Sequence, residues 1–344
     1  MAGGSGTRFW PKSSSKIPKQ LLSLTHKRSQ IQLTFDRLES VVSKPNRWVI
    51  ATKSLKSAIK KQLSGVKILA EPEGRNTMAA ACWSAWTVAQ KEPDGLVAVL
   101  PADAHIGDVG NYQATLEEAF LIAQRELRIV CLGIKPTFPA TCYGYIQSGN
   151  SLQMGNGKTI AHFIEKPSKE RAHEFFQSGS YSWNAGIFIF RADVFQEEVR
   201  IHAPDFAAFF DKNIKTEKKI ISGYKKLPST SVDVGLMEKT NKGAVVTGDF
   251  GWNDLGSWPA LGEVLKPNSP AGIVNAPAGH ISLNSKNVIV DVTEKKFVGL
   301  IGVENLIVVE TSGALLICHQ DHAQEIKNLV SEIRKNKKIA KKLL

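Results

Sequence analysis

Gly3-Gly4-Ser5-Gly6-Thr7-Arg8, followed by Trp10-Pro11 and then Pro18-Lys19-Gln20, opens the chain and decides how the rest is read. Three glycines in four residues let a backbone pass close to an anion with its N–H groups turned inward. Arg8 and Lys19 offer a cation on either side of a short loop stiffened by Pro11 and Pro18, with Arg8 expected on exposed loop. Such an arrangement suits a polyphosphate whose charge must be held and redistributed. It is not a P-loop, which needs Gly-x-x-x-x-Gly-Lys and then Ser or Thr. Nor is it the dinucleotide fingerprint, because no third glycine stands three residues after Gly6. A glycine-rich segment alone is equally a plain turn; the cations and prolines carry the functional reading.

Composition narrows the class. At 344 residues, with 42% hydrophobic and 22% charged content, the chain suits one large α/β domain plus a smaller one. No secretory n-region and h-region is visible at the start. The longest nearly apolar stretch, Ala79 to Ala89, is interrupted by Ser84 and Thr87 and is too short for a bilayer. A cytoplasmic protein with no membrane partner is expected. Cys82, Cys131, Cys142 and Cys318 show no Cys-x-x-Cys spacing, so neither zinc nor a disulfide framework is indicated. Cys82 and Cys131 read as core residues, and His319 with His322 as a solvated turn before the last helix. The net charge of +12 fits a nucleic-acid binder or an enzyme of anionic substrates. The charge is not interleaved with aromatics, and six cations between Arg334 and Lys342 fall in one tail. That tail reads as the solvated face of a terminal helix, and no nucleic-acid partner is expected.

Four strand-sized apolar runs, Trp48 to Ala51, Val66 to Ala70, Leu96 to Leu100 and Ile129 to Gly133, alternate with helix-length segments. Thr77 to Lys91 predicts a helix capped by Asn76. Alternation of this kind argues for a mixed, mostly parallel sheet with helices on both faces. Ligands bind such sheets at the carboxyl ends of strands, which singles out Glu71 and Asp103. Trp183 to Phe190 predicts a strand, and Pro204 to Leu227 a helix. Beyond about residue 262 the texture changes to brief strands between polar or glycine turns, from Ile281-Leu283 to Ala314-Cys318, as in a small β-helix. Ile326, Leu329, Val330 and Ile333 then recur at helical spacing. The expected division is 1–262 and 263–344.

Several motifs carry candidate chemistry. Leu100-Pro101-Ala102-Asp103 ends a buried strand with an acid that is either a helix cap or a carboxylate holding Mg²⁺ against nucleotide phosphates. Asp254, among the glycines and tryptophans of Phe250 to Trp258, is the candidate second metal ligand. In Glu71-Pro72-Glu73-Gly74-Arg75-Asn76-Thr77, a buried Glu71 could accept from N1 and N2 of guanine, and Arg75 is expected to meet phosphate or solvent. Glu165-Lys166 sets an acid beside a base at a strand end. Strand neighbours face opposite sides, so a simple ion pair is not the obvious reason; a sugar phosphate needs both functions. Trp183-Asn184-Ala185-Gly186 offers an amide beside an aromatic wall, with Gly186 allowing close approach. Tyr143-Gly144-Tyr145 repeats that device. Each motif alone is explained as well by structure as by function.

Together, and in this order, they resemble the sugar-nucleotide pyrophosphorylases, and among them the mannose-1-phosphate guanylyltransferases. Glu-Pro-x-x-x-Asn-Thr, Pro-Ala-Asp, Gly-Ile-Lys-Pro-Thr, Tyr-Gly-Tyr, Glu-Lys-Pro, Trp-Asn-x-Gly, Ser-Val-Asp and Trp-Asn-Asp-Leu-Gly-Ser-Trp follow the opening loop, so the resemblance runs from residue 3 to about 320. It implies a Rossmann-like nucleotidyltransferase domain, a small C-terminal β-helix-like domain and a terminal helix. The reaction implied is GTP plus mannose 1-phosphate giving GDP-mannose and pyrophosphate, with Mg²⁺ as cofactor and a homo-oligomer left open. Gly3, Gly4, Gly6 and Thr7 would cradle the triphosphate. Arg8 and Lys19 would stabilise the departing pyrophosphate, and Lys166 the sugar phosphate. Asp103 and Asp254 would bind the metal. Gly144, Glu165, Asn184 and Gly186 would face the sugar, and Glu71, Asn76 and Thr77 the base. Cys142, Ala185 and the Ala104-His105 pair depart from the family pattern and bear on sugar selectivity. The alternatives are transfer to another hexose 1-phosphate and a non-catalytic sugar-nucleotide-binding regulator. The family also places a buried apolar strand ahead of the glycines, where this sequence has only Met1-Ala2. The expectation is therefore a missing central strand, with a reading frame that continues upstream in an apolar run.

Overall fold

Short β-branched runs separated by amphipathic or alanine-rich segments give the first 250 residues a strand–helix alternation. The computed structural model describes every residue except Ser5 and 293–295. Strands β1 (Trp48–Thr52) and β2 (Lys67–Glu71) pair in parallel, Trp48 opposite Lys67. Six more, β3 (Leu96–Val99), β4 (Ile129–Ile134), β5 (Tyr145–Ser151), β6 (Lys158–Ile164), β7 (Tyr181–Arg191) and β8 (Gly243–Thr247), form one sheet in the order β3-β7-β4-β8-β6-β5. Within that sheet β3, β4, β5 and β8 run one way and β6 and β7 the other. The long strand β7 lies between β3 and β4. Most neighbouring pairs are therefore antiparallel although most strands share a direction.

Helices α1 (Gln30–Arg37), α2 (Lys56–Gln62), α3 (Asn76–Ala89), α4 (Val109–Arg125), α5 (Lys169–Ser178), α6 (Ala192–His202), α7 (Pro204–Asn213) and α8 (Glu217–Gly223) cover the sheets. One face buries Trp83 of α3, Phe195 of α6 and Phe210 of α7 against Phe188 and Phe190 of β7. The other buries Leu116 and Ile122 of α4 against Leu132 and Ile189. Cys82 and Cys131 are free thiols inside the first core. Two helix expectations need correction. Asn76 is not the residue before α3 but its first residue, in left-handed conformation (φ 61°), with Arg75 at the cap position. Pro204 to Leu227 is not one helix, because α8 folds back on α7. At the end of α8, a Cβ on Gly223 would lie 2.6 Å from the Phe209 ring, so glycine there lets α8 pack close on α7.

The sheet is interrupted where the opening residues lie. Met1 and Ala2 run between β1 and β3: the Met1 amine donates to the Leu100 carbonyl (2.6 Å), Ala102 N–H to Met1 (2.9 Å), and Ala2 N–H to Ile50 (2.9 Å). Behind Met1 the two strands do not pair with each other, and a cavity of about 900 Å³ opens between them, lined by Trp48, Val49, Leu96, Ala98, Phe35 and Leu38. Burial lowers the pKa of the Met1 ammonium to about 6, against the pull of Asp103 and Glu71.

After α9 (Trp258–Val264), strands β9 (Gly272–Asn275), β10 (His280–Leu283), β11 (Val288–Asp291), β12 (Val298–Ile301) and β13 (Leu306–Glu310) wind as a parallel coil, closed by antiparallel β14 (Leu315–His319). Val288 sits on Gly272 and Ile307 on Ile289, while β12 stacks on β10. Asn287 and Asn305 turn successive coils in left-handed conformation, and the Asn287 amide donates to Asn305 (2.6 Å). Helices α10 (Ile326–Lys335) and α11 (Lys337–Leu343) follow, separated at Asn336, whose side chain caps α11. Residue 262 falls inside α9, which packs on both units: Trp258 and Leu261 join Phe9 and Trp10 of the opening loop to Ile307, Ile326 and Val330. No helix among the described residues is long and apolar enough to cross a membrane.

Candidate functional site

The opening loop closes on Lys19. Gly6 is left-handed (φ 57°), and a Cβ there would lie 2.5 Å from Lys19 Cβ and 2.7 Å from its backbone nitrogen. Only glycine permits that contact. Open space surrounds Gly3 and Gly4. Thr7–Phe9 form a single 3-10 turn, in which Phe9 is buried against Trp258 with ring centroids 5.1 Å apart. That anchor makes Arg8 half-buried rather than exposed, with Nη1 donating to the Gly256 carbonyl at 3.3 Å.

Lys19 is 7% exposed and joins two residues remote in sequence. Its Nζ pairs with Asp103 at 3.0 Å and donates to the Asp254 carbonyl. The backbones beside them are stitched together: His105 N–H donates to Asn253 (2.8 Å) and Asn253 N–H returns to His105 (3.1 Å). Asp254 Oδ1 accepts from the Tyr143 hydroxyl (2.8 Å) and from Gly256 N–H (3.0 Å). Burial first, then the Asp254 charge, raises the Tyr143 phenol, so it stays protonated and donates. Both of these bonds fall on Oδ1 and none on Oδ2. Among the described residues no group of three or more His, Cys, Asp or Glu side chains could hold a metal ion by itself. Mg²⁺ needs only one or two carboxylates when phosphate oxygens and water complete its shell. Asp103 and Asp254, which both meet Lys19, supply that number of carboxylates.

Past β6 a second cluster forms. Lys166 Nζ pairs with Glu165 Oε1 at 2.6 Å. The expectation that these neighbours avoid pairing is corrected, because β6 ends at Ile164 and Lys166 turns left-handed (φ 46°), which frees its side chain from strand alternation. A Cβ on Gly144 would lie 2.7 Å from Glu165 Oε2, so the carboxylate occupies the space a larger residue would fill. The Gly144 carbonyl accepts from Asn184 N–H (2.8 Å). Asn184 Oδ1 accepts from Gly186 N–H (3.0 Å), and its Nδ2 donates to Asp233 Oδ1 (2.7 Å). Gly186 faces open space; its glycine is required by a φ of 70° rather than by close approach. Phe138, Tyr143, Trp183 and Trp252 wall this cluster, with the Tyr143 ring 5.0 Å from Trp183 and 5.3 Å from Trp252. Tyr143 thereby connects the aromatic wall to Asp254.

The third group is the most enclosed. Glu71 is 4% exposed and accepts from the Tyr224 hydroxyl at 2.5 Å. Burial raises its pKa, partly offset by that bond. Asn76 Oδ1 accepts from Thr77 N–H (2.8 Å), and Thr77 Oγ1 from Val232 N–H (2.9 Å), so Asn76 holds its own turn and Thr77 a segment 155 residues away. Arg75 pairs with Glu73 and donates to the Lys225 carbonyl. Of the departures noted in the sequence, Cys142 is exposed and Ala185 buried beside Asn184.

Tyr143, Tyr224 and Asp233 had no role assigned from sequence. Tyr143 enters the sequence reading only as an aromatic flank of Gly144, and Asp233 only within Ser-Val-Asp, a motif quoted for its order. Tyr224 stood in a segment read as plain helix and gave no signal.

The model of the nucleotidyl transferase family matches residues 1–268, and that of the MannoseP isomerase/GMP-like beta-helix domain matches residues 278–333. The xanthan biosynthesis protein XanB of Xanthomonas campestris pv. campestris is 38% identical over 97% of this chain and 72% of its own length. The mannose-1-phosphate guanylyltransferase of Escherichia coli is 33% identical over 97% of this chain and 74% of its own. Among solved structures, mannose-1-phosphate geranyltransferase from Thermus thermophilus superposes with a TM-score of 0.88 at 31% identity, covering 97% of this chain and 98% of that one.

Proposed function

The chain belongs to the nucleotidyl transferase family, and from that premise we propose that it transfers a guanylyl group from GTP to mannose 1-phosphate, releasing pyrophosphate. The observation that carries this reading is the meeting of Arg8, Lys19, Asp103 and Asp254 at the mouth of a glycine-rich loop. Similarity to the Escherichia coli guanylyltransferase supports the choice of base and sugar.

A sugar-phosphate oxygen attacks the α-phosphorus in line; the bond from that phosphorus to the bridging oxygen breaks, and pyrophosphate leaves with the electron pair. The nucleophile is already an anion, so no general base is required. The barrier lies in bringing anions together, which positioned cations lower. Gly3, Gly4, Gly6 and Thr7 cradle the triphosphate. Arg8 and Lys19 stabilise the departing charge, and Lys166 holds the phosphate of the sugar. Gly144, Glu165, Asn184 and Gly186 face the sugar hydroxyls. The base lies towards Glu71, Asn76 and Thr77; Tyr224 takes one acceptor site on Glu71 Oε1, and Oε2 is the oxygen it leaves untouched for a guanine edge. Asp103 and Asp254 would hold Mg²⁺, which supplies positive charge to the phosphates when bound. We place the boundary between the catalytic and β-helical units at residues 262 and 263.

Pyrophosphate release measured across a grid of nucleotides and sugar 1-phosphates tests the reading. Highest turnover with GTP and mannose 1-phosphate is expected. A different preferred pair would reassign the substrates, and binding without turnover would make the chain a sugar-nucleotide sensor.

Asp254→Asn is expected to raise the Mg²⁺ concentration needed for half-maximal turnover by about tenfold or more, since an amide is a far weaker ligand for a hard cation. The melting temperature should change little, because an amide oxygen still accepts from Tyr143 and Gly256. Titration of turnover with Mg²⁺ checks this, and an unchanged requirement would remove Asp254 from the metal site.

A further inference from the structure

We propose that Asp233 is a positioning residue whose carboxylate locks the Asn184 amide in the orientation that meets the sugar phosphate. The proposal rests on the reading of Asn184, Glu165 and Lys166 as the sugar-phosphate side. Asp233 begins a short π-helical turn, Asp233–Met237, far in sequence from that cluster. The preceding backbone is pinned to α3, since Val232 N–H donates to Thr77 Oγ1 and the Thr230 carbonyl accepts from Met78 N–H. The same segment therefore touches the groups assigned to the base and those assigned to the sugar.

The lock has two ends. Gly186 N–H meets Asn184 Oδ1 at 3.0 Å, and Asp233 Oδ1 receives Nδ2 at 2.7 Å. An ionised carboxylate only accepts and a backbone N–H only donates. A flipped amide would set oxygen against oxygen and NH₂ against N–H. The observed orientation leaves the second Nδ2 hydrogen for a ligand. A protonated Asp233 could donate, and that constraint would be lost.

Charge surrounds Asp233 from each element packed on it. Glu165 and Lys166 face it from the turn after β6, and the Cys131 thiol from β4, while Ser231 bonds to it locally. Burial first, then Glu165, raises its pKa to about 6, with the Ser231 bond and Lys166 opposing. The native value lies above the ordinary carboxylate value of 3.8. The locked state is thus present above about pH 6 and is lost as pH falls through that value.

The test compares wild type, Asp233→Ala and Asp233→Asn, with KM measured separately for sugar phosphate and GTP from about pH 5 to 8. Asp233→Ala is expected to raise the KM for sugar phosphate about tenfold, the scale of one charge-assisted hydrogen bond, with the KM for GTP unchanged. Asp233→Asn keeps an acceptor but no charge. It should fall between the two and lose the rise in sugar-phosphate KM that wild type shows below pH 6. Equal increases in both KM values together with a lower melting temperature would mark a purely structural role and overturn the assignment. So would a variant Asp233→Asn whose acid limb equals that of wild type once KM is expressed per dianionic sugar phosphate, since the substrate phosphate itself titrates at about pH 6. A wild type that turns over no sugar phosphate overturns instead the reading on which the assignment rests, and this is seen before any variant is made.

Discussion

Arg8→Ala is expected to lower turnover about a hundredfold while the protein keeps its fold. Loss of one preorganised donor at developing charge costs roughly 3 kcal/mol in the transition state. The structural loss is small by comparison. The guanidinium makes one long bond to the Gly256 carbonyl, and the turn that carries it is anchored by Phe9, buried against Trp258. Steady-state turnover and a thermal melt separate the two effects. A variant with near-wild-type turnover would exclude Arg8 from the mechanism, and one with a collapsed melt would make it a structural residue.

An apolar extension of about five residues fused ahead of Met1 is expected to raise the melting temperature by roughly 5–10 °C and to increase turnover. Met1 and Ala2 already hydrogen-bond to backbone on both sides, and the cavity behind them is flanked by β1 and β3, which among the described residues do not pair with each other. A strand seated there would pair backbone groups on two sides at a net gain of about 1 kcal/mol per bond. For a unit of this size each kcal/mol moves the melting temperature by roughly 2 °C. The fusion would also relieve the buried Met1 ammonium, whose charge burial disfavours. Turnover should follow because Ala2 leads directly into the glycine loop. A polar extension of equal length is the control. If both extensions leave melting and turnover unchanged, the cavity does not take a strand.

The opening loop shows where sequence reading reaches and where it stops. Its glycines and flanking cations were legible because backbone freedom and charge are properties of the residues themselves. The contact that makes Gly6 indispensable, the approach of Lys19, was not. The strands at Trp48, Leu96 and Ile129, the change of texture beyond residue 262 and the helical spacing from Ile326 follow from side-chain periodicity, and the described elements lie there. Insertion of β7 between β3 and β4 has no local signal, since register is chosen by pairing partners far along the chain. The Glu165–Lys166 pair was misjudged for a related reason: strand alternation holds only while the strand lasts, and Lys166 lies beyond its end.

The sequence by itself determined the class of fold, the two-part organisation and most of the residues that carry candidate chemistry, because periodicity, glycine placement and charge act locally. Only the tertiary structure decided which of those residues meet. Asp103 and Asp254 share Lys19 because the backbones at His105 and Asn253 are bonded to each other, and Asn184 has a fixed amide because Asp233 arrives from a turn 49 residues away. Such meetings depend on long-range hydrogen bonding and buried packing, whose partners no local pattern names.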